Sequence, residues 1–179
     1  AAGTLAAFAM DHGVTPEQVY RSSSLTSQLQ LALLQQGDPI YWYDDLKPSS
    51  PSFTAAQFLA VKGIFGPDGK DLHFHPRDPV TREDLIIALA RLLGMAPRAS
   101  GASSSGNPSA KEIRTLTRSL IRRGLLPAGF SDARKMDQSI QWRDLEMASR
   151  KLRIARPFSS PSTNLDRSGF AVWLERVIR

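Results

Sequence analysis

Apolar side chains recur at three- and four-residue spacing along several stretches of this chain, and clusters of Gly, Pro and Ser separate the stretches. That period puts side chains on one face of a helix, so each stretch is expected to be an amphipathic helix with one buried stripe. The sharpest is 80–94. Thr81 can cap the first-turn amides, and Glu83 and Asp84 set negative charge at the positive end. Leu85, Leu89, Leu92 and Leu93 form the stripe, and Gly94 can take the left-handed conformation that stops the helix. Comparable runs predict helices over 4–12, from Thr15-Pro16-Glu17 onward, over 25–36 with Leu29, Leu33 and Leu34 inward, and over 53–63. Another over 110–124 turns Ile113, Leu116, Leu120 and Ile121 inward and Arg114, Arg118, Arg122 and Arg123 mainly outward. Two later segments, 140–152 and 165–177, echo the one at 80–94. Setting Val80 over Ile140 and Leu165 brings Leu85 over Leu145 and Phe170, and Leu92 over Leu152 and Val177. The expected class is therefore all-α, a series of helical hairpins with little or no β structure.

The connections carry their own signals. Residues 40–46 are aromatic and partly β-prone, and Lys47-Pro48 to Pro51 can continue neither a helix nor a central strand. Gly66 to Gly69 is turn chemistry, and Leu72 to Pro76 is an extended approach to the Thr81 helix. Residues 96–109 hold almost no large apolar side chains, so burial cannot repay their ordering entropy and a flexible linker is expected. Pro157 to Pro161 is a further break. The expected organisation is 1–39, terminal helices; 40–95, a first helix-loop-helix unit; 96–109, the linker; and 110–179, a second and a third unit.

Composition adds bounds. With 179 residues, 41% hydrophobic and 22% charged, the chain can bury a core as one domain or two small ones. It has no Cys, which excludes disulfide staples and thiolate metal sites. The apolar-leaning run at 1–10 is too short to cross a bilayer and lacks a basic flank, so neither a membrane helix nor an intact signal peptide is expected there, and a chain starting at Ala1 is expected to be mature, processed or excerpted. Charge is split: residues 1–95 carry 7 Lys/Arg against 10 Asp/Glu, net −3, and 96–179 carry 16 against 7, net +9. The basic half suits an acidic polysaccharide, a nucleic acid or a lipid headgroup; the alternative is a solvated basic surface with no dedicated ligand. Nucleic acid is the less expected partner, because aromatic residues are not interleaved with the basic ones as single-strand readers require.

Several residues invite chemical readings. His73 and His75 share a face of an extended segment, yet no third ligand is near in sequence and no metal is expected. Asp44 and Asp45 point to opposite sides of an extended segment, which suits turn or cap roles rather than an acid/base dyad. Ser103 to Ser105 lie in the linker without a positioned histidine, so nucleophilic catalysis has no support. Trp142 and Trp173 are expected to anchor the core, the alternative being sugar-stacking platforms. Two roles are open to Arg82 at the first turn of its helix: bracing a neighbouring unit's carboxylate or carbonyl, or touching a ligand.

The run Tyr41-Trp42 to Leu46, a helix ending Val61-Lys62-Gly63-Ile64, then Gly66 to Gly69, Phe74 to Pro76 and Pro79 to Glu83 resembles one S-layer homology (SLH) motif along its length. In the second copy Arg123-Gly124-Leu125, Phe130 and Ile140 are kept, while Gln141 to Asp144 replace the Thr-Arg-Ala-Glu box. The third keeps Asp166 and Arg167. The resemblance implies three units packed about a pseudo-threefold axis, with anionic cell-wall polysaccharide bound in grooves between them. It implies ligand contacts from Trp42, Arg82, Glu83 and Arg167, although the second box lacks the matching arginine.

At the other end, Ala1 to Val19 followed by Leu29 to Gly37 resembles the closing part of bacterial FAD-dependent oxidoreductases. There an Ala-Ala-Gly-Thr helix lies with its amino end toward the flavin, which implies that Ala2, Gly3 and Thr4 border FAD in an intact parent protein. This chain has no Gly-x-Gly-x-x-Gly after a strand, so no cofactor is expected to bind it alone. The two resemblances together imply a non-catalytic, carboxy-terminal, SLH-like module of an FAD-dependent oxidoreductase. The partners this implies are the parent flavin domain and an anionic cell-wall polysaccharide, in an extracytoplasmic or envelope setting, with the cytoplasm as the alternative. Other readings are a helical interaction module for nucleic acid or protein, and a lid over the parent's active site.

Overall fold

The computed structural model describes residues 2–41, 43–66, 72–98, 107–154 and 164–178. Among them are eight α-helices: α1 (Ala2–Asp11), α2 (Pro16–Arg21), α3 (Ser23–Gln35), α4 (Phe53–Val61), α5 (Arg82–Leu92), α6 (Ala110–Arg122), α7 (Glu146–Lys151) and α8 (Arg167–Ile178). The only β pairing among the described residues is three isolated bridges. The all-α class therefore stands. None of these helices is long and apolar enough to cross a membrane.

Capping explains where the helices start. Thr15, Thr81 and Ser109 each accept the amide of the third helical residue, while that residue's side chain bonds back to the cap amide. They end as the glycines suggest: Gly63, Gly94 and Gly124 have φ of 64°, 66° and 71°, left-handed values that cost a glycine nothing. At the end of α7 the same conformation falls to Arg153, with φ 58°, at a cost of about 1–2 kcal/mol.

The helix expected over 140–152 is shorter than its pattern suggests. A 3-10 turn, Trp142–Leu145, precedes α7. The cause lies in the cap. Thr81 has a hydroxyl that takes the Asp84 amide. Gln141 at the matching place offers only its carbonyl, which accepts from Asp144 N at 2.9 Å, closing a tighter turn. The Asp144 carboxylate still bonds back to the Gln141 amide at 2.8 Å, so half of the capping device is present.

The three aligned segments meet. Val80 N donates to Leu165 O at 2.9 Å, Leu165 N to Ile140 O at 3.0 Å, and Ile140 N to Val80 O at 2.8 Å, closing a ring of backbone bonds. The bridges Thr81 with Ser139, Gln141 with Asn164, and Asp166 with Pro79 repeat one relation around that ring. All three ring residues are fully buried, as are Leu85, Leu145 and Phe170 one and a half turns further on. One core unites these positions with Phe58, Leu59, Leu120 and Leu174, and Leu34 of α3 belongs to it too. Helix packing follows the same cycle, α6 against α5 and α4 against α8. On α7 the positions matching buried Ile87 and Ala90 are exposed Met147 and Arg150, a solvated rather than a covered face. The linker expected over 96–109 lies largely outside the described residues, but Arg91, 6% exposed, holds both of its described ends. Its Nε donates to Pro97 O at 3.2 Å and its guanidinium to Asn107 Oδ1 at 2.8 Å.

Candidate functional site

The first turns after the ring carry the residues singled out by sequence. Arg82 and Arg167 occupy matching places, two residues past Val80 and Leu165, and each reaches into the loop of the neighbouring unit. Arg82 N donates to Gln138 O and Glu83 N to Met136 O, both at 3.0 Å. Arg167 N donates to Asp78 O at 2.9 Å and Ser168 N to Pro76 O at 3.0 Å. The backbone scheme is the same twice.

The side chains then differ in burial. Arg82 is half-buried: it donates to Gly129 O at 3.1 Å and lies 4.7 Å from the Phe130 ring centroid. Arg167 is 2% exposed. Its Nε donates to Phe74 O at 2.8 Å and another guanidinium nitrogen donates to Gly66 O. The guanidinium stands 4.6 Å from the Phe65 centroid and 5.4 Å from that of Phe74. Both rings thus present negative faces to a cation held away from water, where the attraction is strongest. Of the two roles open to Arg82, the bracing of a neighbouring carbonyl is the one the geometry displays.

Trp142 takes the third matching place, and its ring lies over Gly169: a Cβ there would sit 2.9 Å from Trp142 Cζ2. Trp173 is 2% exposed and donates its indole N–H to Ser149 Oγ at 3.0 Å, tying α8 to α7. Glu83 is half-buried, and burial, with Asp84 next to it, raises its carboxyl above the ordinary 4.5. Trp42 lies outside the described residues, as do Ser103 to Ser105. Arg82 and Arg167 are not brought together: one meets the Gly129 carbonyl and the other those of Phe74 and Gly66. Gly3 and Thr4 sit in the first turn of α1, and a Cβ on Gly3 would meet nothing within 4 Å.

The remaining candidates resolve locally. Asp45 accepts the amides of Phe74 and His75, one per carboxylate oxygen, each at 2.7 Å, a clamp on the approach to the ring. His73 and His75 do share a face, with ring centroids 5.5 Å apart, and His75 lies 3.8 Å from Asp78. Among the described residues no group of three or more His, Cys, Asp or Glu is placed to hold a metal. Lys111, Arg114, Arg118 and Arg122 are all exposed along α6, and the one acid in that helix is Glu112. Sequence places Gln57 at helix-turn spacing with Phe53, Ala60 and Val61 but assigns it no role; its buried side chain accepts the amides of Ile40 and Tyr41 at 3.1 and 2.6 Å. Nor does sequence assign a role to Lys62, named only within the Val61-Lys62-Gly63-Ile64 stretch, or to Arg98. The signal for Gln57 was its place on the apolar face of α4; the two cations gave none, because their neighbours come from four separate helices.

No protein-family model matches this chain, and no curated protein or solved structure matches it. Its class therefore rests on its own geometry: a mostly helical module in which three helix starts are joined by a closed backbone ring.

Proposed function

We propose that this chain is a non-catalytic, SLH-like packing and attachment module of an FAD-dependent oxidoreductase, with α1 to α3 continuous with the flavin domain. Attachment is to an anionic cell-envelope polysaccharide. The observation that carries the attachment is the exposed basic stripe of α6, Lys111, Arg114, Arg118 and Arg122, at helical spacing. Such a stripe attracts an extended polyanion through many weak, screened contacts. Packing is supported by Arg82 and Arg167, whose guanidinium groups are spent on carbonyls of adjacent units. That reading leaves the groove contacts implied for Trp42, Arg82, Glu83 and Arg167 secondary to the stripe.

The test is co-sedimentation of the whole chain with purified cell-wall polysaccharide at low and at high salt. Retention at low salt, its loss at high salt, and its loss in the triple variant R114E/R118E/R122E are expected. No retention at low salt, or retention unchanged by the triple change, would remove the attachment role. The same stripe favours nucleic acid as a second reading. Random duplex DNA bound more tightly than polysaccharide, with affinity falling steeply as salt rises, would put it first.

A further inference from the structure

A cavity of about 680 Å3 lies where the first turns of α3 meet the C-terminal ends of α4, α5 and α8. Its size is that of a small-molecule site. One wall is apolar, made by Leu31, Phe58, Leu92 and Ile178. The other is hydroxyl-rich and cationic, with Ser24 and Ser27 from α3 facing Lys62 and Arg98. No carboxylate is among the described residues that line it.

Among the described residues the charges in this cavity are unbalanced. Lys62 Nζ donates to Ser27 Oγ at 2.6 Å, and that hydroxyl in turn donates to Ser23 O at 2.7 Å, so the ammonium is fixed in place by a neutral partner. The Phe58 ring lies 5.2 Å from it. Burial, and then the positive charge of Arg98, lower the Lys62 pKa below its ordinary 10.5. A second cation, the exposed Arg98, therefore stands beside the partly desolvated Lys62, an arrangement that costs free energy until an anion enters. Donors are ready for one. Two further protons on Lys62 remain, Arg98 adds a planar fork, and the Ser24 hydroxyl accepts from Gln28 Nε2 at 3.3 Å, leaving its proton to give.

We infer that this cavity binds an organic phosphomonoester with an apolar body, its phosphate held between Lys62, Arg98 and Ser24 and its body laid on Phe58, Leu92 and Ile178. A phosphate carries close to two negative charges and three free oxygens, enough to neutralise both cations and fill all three donors. A lone inorganic ion would leave the apolar wall unused. The site is remote in sequence from the α6 stripe, and its test is independent of polysaccharide attachment.

The experiment is calorimetric titration of the whole chain with naphthyl phosphate, and with naphthol, naphthoate and inorganic phosphate in parallel. Naphthyl phosphate is expected to bind, and each of the other three about tenfold more weakly, because each lacks part of what the walls recognise. Lys62→Met and Arg98→Met should each weaken the phosphate ester about tenfold, and Lys47→Met, an exposed site outside both the cavity and the α6 stripe, should leave it unchanged. Arg98 is exposed, so its variant keeps the test valid if Lys62→Met unfolds. Absence of naphthyl phosphate binding overturns the site, as does binding that Arg98→Met leaves unaltered. Naphthoate binding as tightly overturns the phosphate assignment.

Discussion

Replacing Arg167 and Arg82 in turn by alanine tests whether two residues at matching places do unequal work. Arg167→Ala removes two charge-assisted hydrogen bonds, to Phe74 O and Gly66 O, and two ring contacts, all inside a site that is 2% exposed. Each such bond is worth about 1.5–3 kcal/mol, and a desolvated cation–π contact about 2 kcal/mol. Against this, the variant no longer buries a guanidinium, which offsets several kcal/mol, so the net loss is about 4 kcal/mol. Arg82→Ala removes one bond to Gly129 O and one contact with Phe130 at a half-buried place, for about 1 kcal/mol. At this chain length that corresponds to falls in Tm of about 10 °C and about 3 °C. Urea unfolding followed by circular dichroism measures both. Arg167→Lys keeps the charge but lacks the fork, so it should fall between wild type and alanine, and it stands in if Arg167→Ala does not fold. Equal losses for Arg82→Ala and Arg167→Ala, or a loss under about 1 kcal/mol at Arg167, would refute the assignment of Arg167 as the interior joint.

Gly169→Ala should destabilise by about 1–3 kcal/mol although alanine is the better helix former, because the new Cβ would sit 2.9 Å from Trp142 Cζ2 and 3.3 Å from Leu165 Cδ1. Combining it with Trp142→Leu should recover part of that loss in a double-mutant cycle, and strict additivity would contradict the contact. The two acids that follow N-caps should titrate on opposite sides of 4.5. Glu83 is raised by burial and by Asp84, so its contribution to stability is full below 4.5 and is lost as pH rises through its folded pKa. Glu112 is lowered by hydrogen bonds from the Ser109 side chain and then its backbone, so its contribution is present above 4.5 and is lost as pH falls through its folded pKa. Side-chain NMR titration reads the order directly, and Glu112 titrating above Glu83 would reverse the argument.

Much of the scaffold could be read before any coordinates. Thr81 and Gly94 marked the limits of α5 because capping is a local matter of one hydroxyl and one missing Cβ. The alignment of Val80, Ile140 and Leu165 was visible because burial selects large apolar side chains at fixed distances from a helix start. One miss was local, and the others depend on distant neighbours. The 3-10 turn at Trp142 follows from a Gln where a Thr would cap. Arg167 reads as a surface residue until Phe65 and Phe74 are placed around it, and its bond to Phe74 bridges 93 residues. Lys62 has the same difficulty, since its partner Ser27 is 35 residues earlier.

The ring of Val80, Ile140 and Leu165 also sets an order of events. Each amide in it is satisfied only by the next segment, so none of the three helix starts is complete until the last one, deep in the C-terminal part of the chain, arrives. Closure over such separations costs loop entropy before any bond is returned, so a late place in folding is expected for it. A chain cut before Asn164 would strand the Val80 N–H and the Ile140 carbonyl, so losing the last segment leaves the first two with unpaired buried backbone groups.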